Sequence, residues 1–427
     1  MSFPKFQKSA SLLALTLVVP LIGAGPALAQ QTVVNFLAEA ADFVYAPVIE
    51  AFEAANPDID IRYQQVPFED LNAAIESRVG QGDSSIDVFA ADTPRVPAFA
   101  SRGYLPDEEA YRERILAAVP NPVDQEQVSW EGRLHAFPMW TSTQLLFYNR
   151  DLLEQAGIPE PVPSSPEDRL TWEELLEMAR QAQDGGAEWG FTFQQVDRYY
   201  QLQALFESAG AGPGLTGDGL LQPDLTNEGW IRTATWYRDL YEDGIAPRGV
   251  SPNQTNDLFI NGQVAFFYGG PWTFGRFEEV EDLNYGVTYI PYFEGGTPAS
   301  ATGSWALAVN PHAANEEAAR RFVEFATLTA EGALKTTESN PLPPVNAEAY
   351  EMWREGIAEM TPKVGPAIDI ITHELQNTAV GRPRTVGYVA FETVMNRAFS
   401  DLRNGADVEE TLQSAQDQLT SQLARIR

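Results

Sequence analysis

Strand and helix patterns alternate without a break from Thr32 to Asp92, and this alternation restricts the fold more than any other feature. TVVNFLAEA reads as a strand ending at Glu39. Pro47 to Ala55 carries apolar residues at helical spacing and is halted by Asn56-Pro57. IDIRYQQVP then reads as a second strand, DLNAAIESRVGQG as a helix closed by glycine, and IDVFAAD as a third strand. A β-α-β-α-β series demands a parallel sheet, because parallel neighbours need a long crossover that a helix supplies. Ligands of such sheets gather beyond the carboxyl ends of the strands. Glu39, Asp42 and Asp92 lie just past strands one and three.

A chain of 427 residues exceeds what one hydrophobic core usually organises, so two domains are expected. A second α/β region starts at LLFYN, a strand, followed by the helix RDLLEQAGI. Thr171 and Glu174 form a capping box that opens ELLEMARQAQ. Further helices are expected near residues 197–209 and 227–243, and strands at NYGVTYIPYF and SWALAVN. Asn315 is positioned to cap EEAARRFVEFATL, whose Ala319, Phe322, Val323 and Ala326 share one face. Between the two regions runs LHAFPMWTSTQLLFYN, in which four hydroxyl or amide residues, Thr141 to Gln144, interrupt two apolar runs. That reads as a chain leaving one packed body and entering another, with the polar groups meeting solvent or ligand at the crossing.

The first residues carry Lys5 and Lys8 ahead of an apolar run from Leu12 to Ile22 and then Ala27-Leu28-Ala29, the pattern of a cleavable signal peptide over 1–29. The run is too short for a membrane-spanning helix, which needs about 20 apolar residues. A periplasmic location is therefore expected. The chain has no cysteine, so disulfides, thiolate metal sites and lipid attachment to cysteine are excluded. Without the leader, 26 basic face 60 acidic residues, a formal charge of −34, and such a field repels nucleic acid and anionic membranes. Beyond the leader only Lys335 and Lys363 are lysines; arginine carries the remaining positive charge.

Gly212 to Gly217 matches GxGxxG literally, but it follows a helix and opens none, so a dinucleotide site is not expected. His135, His312 and His373 lack metal spacing, and no cofactor motif is present. Two facing carboxylates would suffice for a glycosidase, and nothing else in the chain points to one. Aromatic residues beside turns are the stronger signal: Trp140 before Thr-Ser-Thr-Gln, Tyr199 and Tyr200 after a loop, Trp272 in Gly-Gly-Pro-Trp, Trp305 in Thr-Gly-Ser-Trp. Flat apolar faces next to hydroxyls and carboxylates suit a sugar, whose C–H faces pack on aromatic rings while its hydroxyls find polar partners.

Glu39, Asp92, FPMW, LFINGQVAFFYGGPW and TGSWALAVN, taken in order, resemble the extracellular solute-binding proteins of family 1, the maltose-binding-protein-like receptors of carbohydrate ABC importers. The similarity runs along essentially the whole chain after the leader. It implies an α/β, two-lobed periplasmic binding protein fold with a ligand cleft and hinge between lobes. Lobe one would be 30–139 plus 302–345, and lobe two 143–300 plus 346–427. A monomer that closes on a sugar or small oligosaccharide and docks on permease subunits is implied, without chemical turnover. Carried over residue by residue, Glu39 and Asp92 would hold hydroxyls, with Asp42 beside them. Trp140 and Trp305 would be aromatic contacts around the Gly303 turn, and Trp272, Tyr199 and Arg384 would come from lobe two. Ser142 stands where several disaccharide-binding relatives carry aspartate, and Gly270 where they carry tryptophan; both departures argue for a differently shaped or smaller ligand. A polyol, a glycerol phosphodiester or a sulfonated sugar, with Arg382 and Arg384 serving an anion, is the alternative within the same fold. A secreted glycan-active enzyme is the alternative outside it.

Overall fold

The computed structural model describes Met1, residues 31–364 and residues 367–426. The expected leader, Met1 apart, lies outside the described residues. From Thr32 the alternation takes the expected order: β1 (Thr32–Ala38), α1 (Asp42–Ala55), β2 (Ile59–Gln65), α2 (Phe68–Arg78) and β3 (Val88–Asp92). The first helix begins five residues before Pro47, which therefore lies inside it. The proline ring already holds a helical φ, and its missing N–H leaves unbonded only the carbonyl of Phe43, in the exposed first turn.

β4 (Phe137–Thr141) and β5 (Leu145–Asn149) flank the polar crossing. Then come α3 (Trp172–Asp184), β6 (Trp189–Phe193), α4 (Tyr199–Ser208), β7 (Val264–Gly269) and β8 (Tyr285–Thr288). The chain continues through β9 (Ser300–Thr302), β10 (Ser304–Val309), α5 (Glu316–Leu328), β11 (Ala379–Gly381) and α6 (Tyr388–Arg403). Both bonds of the Thr171–Glu174 capping box form. Asn315 precedes α5 but does not cap it: its side chain donates to the carbonyl of Val33, 2.8 Å away, and ties the helix to β1 instead.

Two sheets result. One has the order β2-β1-β3-β10-β4, with β10 antiparallel to both its neighbours; the other has the order β8-β5-β7-β6. Each is buried among helices. In β5 the side chains alternate between two apolar layers, Leu146 and Tyr148 packing with Trp172 and Phe191, Leu145 and Phe147 with Phe259, Phe277 and Trp353. The expected shared face of α5, Ala319, Phe322, Val323 and Ala326, packs with Phe36 and Val88 in the core of the first sheet.

The chain passes between the two cores at residues 142–144, again at Gly303, and a third time between Leu342 and Trp353. Two α/β lobes joined by short crossings is thus the architecture. Of the two settings expected for the polar residues of the first crossing, solvent or ligand, Ser142, Thr143 and Gln144 lack the first, while Thr141 and Ser142 border a cavity. Ser142, Thr143 and Gln144 are buried, and each has a partner on the second crossing. Ser142 Oγ donates to the Gly303 carbonyl at 3.0 Å, Thr302 Oγ1 to the Ser142 carbonyl at 2.7 Å, and Gln144 N–H to Ser300 Oγ at 3.0 Å. Two strands changing lobe side by side cannot form a full backbone ladder, so hydroxyls complete the pairing of their buried polar groups.

Candidate ligand-binding site

A cavity of about 310 Å³ opens where the crossings meet the ends of both sheets. The register of the first sheet builds one wall: Trp305 on β10 lies opposite Asp92 on β3 and Trp140 on β4, and the β4–β10 pairing shifts between Trp305 and Ala306. The extra residue is Met139 on the edge strand β4, and such a bulge bends the edge strand beside the inner strand that carries Trp305. Trp140 is held rigidly. Its ring stacks on Tyr45 at 5.5 Å between centroids, and its Nε1 donates to Thr336 Oγ1 at 2.7 Å. Phe43 forms part of the lip and is 59% exposed.

Lobe two supplies Tyr200, Trp272 and Arg382. Tyr200 Oη lies 2.9 Å from Ser142 Oγ and accepts from Gln144 Nε2 at 2.9 Å, so the ring is anchored to the crossing. Gly303 allows this approach, since a Cβ there would sit 2.9 Å from the Tyr200 ring. Gly270 has the same role for Trp272: a Cβ at that position would fall 2.1 Å from the indole. The space that a larger residue at 270 would occupy is therefore filled by Trp272 itself, whose Nε1 donates to Gln194 Oε1 at 3.2 Å.

The charges of the cavity are paired across the lobes, with one exception. Arg382 binds both oxygens of Asp92 and lies over the Tyr200 ring, 4.7 Å from its centroid. Beside this pair Arg95 bonds Glu392, whose other oxygen accepts from Tyr388 Oη at 2.9 Å. Burial is the largest single influence on Arg382 and works against its charge, but Asp92, Tyr388 and Glu392 together outweigh it and raise its pKa. Glu39 has no such counter-ion. Burial lifts its carboxyl to about 8, a backbone hydrogen bond opposes the rise, and the negative charge of Asp92 adds to it. Although Glu39 as a whole is only partly buried, its Oε2 is sealed from solvent and has no hydrogen-bond partner.

The structure thus brings Glu39, Asp92, Trp140, Ser142, Trp272, Gly303 and Trp305 around one cavity. Three residues expected there are elsewhere. Tyr199 is fully buried in the lobe-two core, edge-on to Phe391 with its hydroxyl on the Pro213 carbonyl; its neighbour Tyr200 faces the cleft instead. Arg384 lies outside the cavity, paired with Glu126 at 3.1 Å and bonded to the Ser129 carbonyl. Asp42 opens α1 on the exposed side, where its carboxylate accepts from the N–H of Phe43, and Phe43 takes the lining position. Among the described residues no group of three His, Asp or Glu side chains could hold a metal ion.

Two α/β lobes, strands that change lobe at a hinge, and a cavity at the hinge lined from both sides define a two-lobed binding protein. The first fold relative is the cycloalternan complex of an ABC substrate-binding protein from Listeria monocytogenes, similar at TM-score 0.80 and 20% identity over 92% of this chain and 100% of that one. Residues 38–333 match the bacterial extracellular solute-binding protein family, and the chain belongs to it. Its relatives include a galactooligosaccharide-binding protein of Bacillus subtilis, 25% identical over 71% of this chain and 70% of that protein. An sn-glycerol-3-phosphate-binding periplasmic protein of Brucella melitensis is 24% identical over 80% of each.

Proposed function

We propose that this solute-binding protein captures a sugar or small oligosaccharide in the cavity at the crossing and delivers it to the permease subunits of an ABC importer. The observation that carries this reading is the lining. Trp305, Trp272 and Phe43 offer flat apolar faces, while Glu39, Gln195 and Ser142 put carboxyl, amide and hydroxyl groups between them. A ring with C–H faces and a polar rim needs both, and a wrong ligand would leave buried polar groups unpaired. Export by a cleaved leader and a monomeric periplasmic form complete the reading.

An anionic solute is less well served. Arg382 is committed to Asp92, and Arg384 to Glu126 outside the cavity. A polyol offers no ring face to the tryptophans. The test is thermal unfolding with mono- and oligosaccharides, polyols and glycerol phosphodiesters. A ligand at about 100 times its Kd stabilises the native state by roughly 2.7 kcal/mol and raises Tm. Trp305→Ala should abolish most of that rise with little change in the unliganded Tm, because Trp305 is only partly buried. A rise with anionic solutes alone would refute the carbohydrate reading, as would sustained hydrolysis of chromogenic glycosides.

A further inference from the structure

Glu39 borders a second hollow besides the one already described. This outer chamber, about 480 Å³, lies between Gln65 and Pro67 at the end of β2 and a lobe-two wall that includes Arg198 and Asn253. Glu39, Gln195 and Trp272 line both chambers and form the threshold between them.

That threshold holds two polar atoms without partners. Glu39 Oε2, from lobe one, and Gln195 Oε1, from lobe two, are both sealed from solvent and unbonded. A buried polar atom left without a partner is costly, and a ligand group arriving at this threshold would supply one. The backbone supports the same point. Val196, directly after Gln195, has φ 55°, a left-handed conformation that a β-branched residue adopts only under strain. The strained residue lies in the turn that carries the threshold amide, between β6 and the helix carrying Tyr200.

The chambers differ in chemistry as well as position. The inner one has aromatic and aliphatic walls, including Trp305, Phe43 and Leu342; the outer one is lined by amides, Ser251 and a guanidinium. Ligand pockets span roughly 300–1,000 Å³, so the inner chamber alone is at the lower limit and the two together are well within the range.

We infer that the ligand has at least two linked units: one packs in the inner chamber against Trp305, and the next passes over Trp272 into the outer chamber. Glu39 and Gln195 then bond the polar groups at the linkage. This inference rests on the carbohydrate reading and specifies a size class within it. It also reverses the sequence-based expectation of a smaller ligand, because the change at Gly270 is compensated by Trp272 and the outer chamber adds length.

Titration calorimetry with two homologous series tests it: glucose, maltose and maltotriose, and galactose, galactobiose and galactotriose, on the wild type and on Asn253→Trp. Asn253 is exposed and lines only the outer chamber, so the substitution fills that space without touching the inner one. The expected result is at least tenfold tighter binding of a di- or trisaccharide than of its own monosaccharide. Asn253→Trp should remove that advantage and leave the monosaccharide within twofold of its wild-type affinity. Gln195→Leu, which removes the threshold acceptor, should weaken the longer sugar by at least fivefold, with Tm confirming the fold. Equal affinity for one and two units, or an advantage that survives Asn253→Trp, overturns the inference while leaving the carbohydrate reading intact. Binding of no sugar in either series overturns both.

Discussion

Glu39 follows β1 in a cleft where Asp92 and Arg382 are already paired with each other, and its acid–base behaviour follows from that isolation. Asp92 is the charged group that acts on it, Tyr45 and Tyr63 lie nearby as neutral phenols, and among the described residues no cation is paired with it. A carboxyl raised from 4.5 to about 8 binds its proton more tightly in the folded state than in the unfolded one. Its stabilising contribution is present below about pH 4.5 and is lost as pH rises toward 8. Glu39→Gln should remove this slope, so its Tm should gain on the wild type between pH 5 and pH 8; parallel profiles across that window would show that Glu39 ionises freely. The sequence indicated this carboxylate through its place beyond β1, and Trp305 through its small-residue turn. It could not separate Tyr199 from Tyr200, since adjacent residues on a helix point about 100° apart and only the tertiary phase decides which meets the core. Arg382 and Arg384 pose the same difficulty, their roles being set by Asp92 and Glu126 far away in sequence.

At the scale of elements, the cleft is held by a charge cluster and a hydroxyl ladder, and both lie between segments distant in sequence. Arg382 and Asp92 have side chains 5% and 1% exposed, and removing one partner strands the other in a dry site. Arg382→Met should therefore cost about 3–5 kcal/mol in a denaturant titration. Adding Asp92→Asn should recover part of that loss, and a purely additive double variant would mean the two charges do not interact. Most of the regular elements were legible because strand and helix periods and the Thr171 box are local. The four polar residues of the first crossing were legible as an anomaly but not in their role. Their partners are Tyr200 and Gln201, about 60 residues away, and Ser300 to Gly303, about 160 away, and no period links them. Asn315 misled for the same reason: a cap motif is local, whereas its bond to Val33 is tertiary.

Over the whole molecule, the formal charge of −32 for the full chain is an electrostatic load that the ion pairs relieve only locally. Self-repulsion of that size weakens the compact state and is screened by salt. Raising salt from about 0.01 M to about 1 M shortens the screening length from about 30 Å to about 3 Å and should raise Tm in the absence of ligand. A Tm that falls over this range would mean that attractive surface pairs outweigh the net repulsion. The expectation of two domains came from length and alternation; that of interleaved lobes came only with the family resemblance, because interleaving depends on where one late strand inserts.

That strand, β10, lies between β3 and β4, so the first sheet lacks an inner member until residue 309 has been synthesised. The N-terminal segments alone can pair only as β2-β1-β3 with one open edge, and β4 has no neighbour in that sheet except β10. Closing a connection of about 200 residues is entropically slow, and non-local pairing of this kind delays folding. Lobe one is therefore assembled late, after most of lobe two has been made. In a chain built in this order the β2-β1-β3 unit keeps an open edge until its last inner neighbour is made.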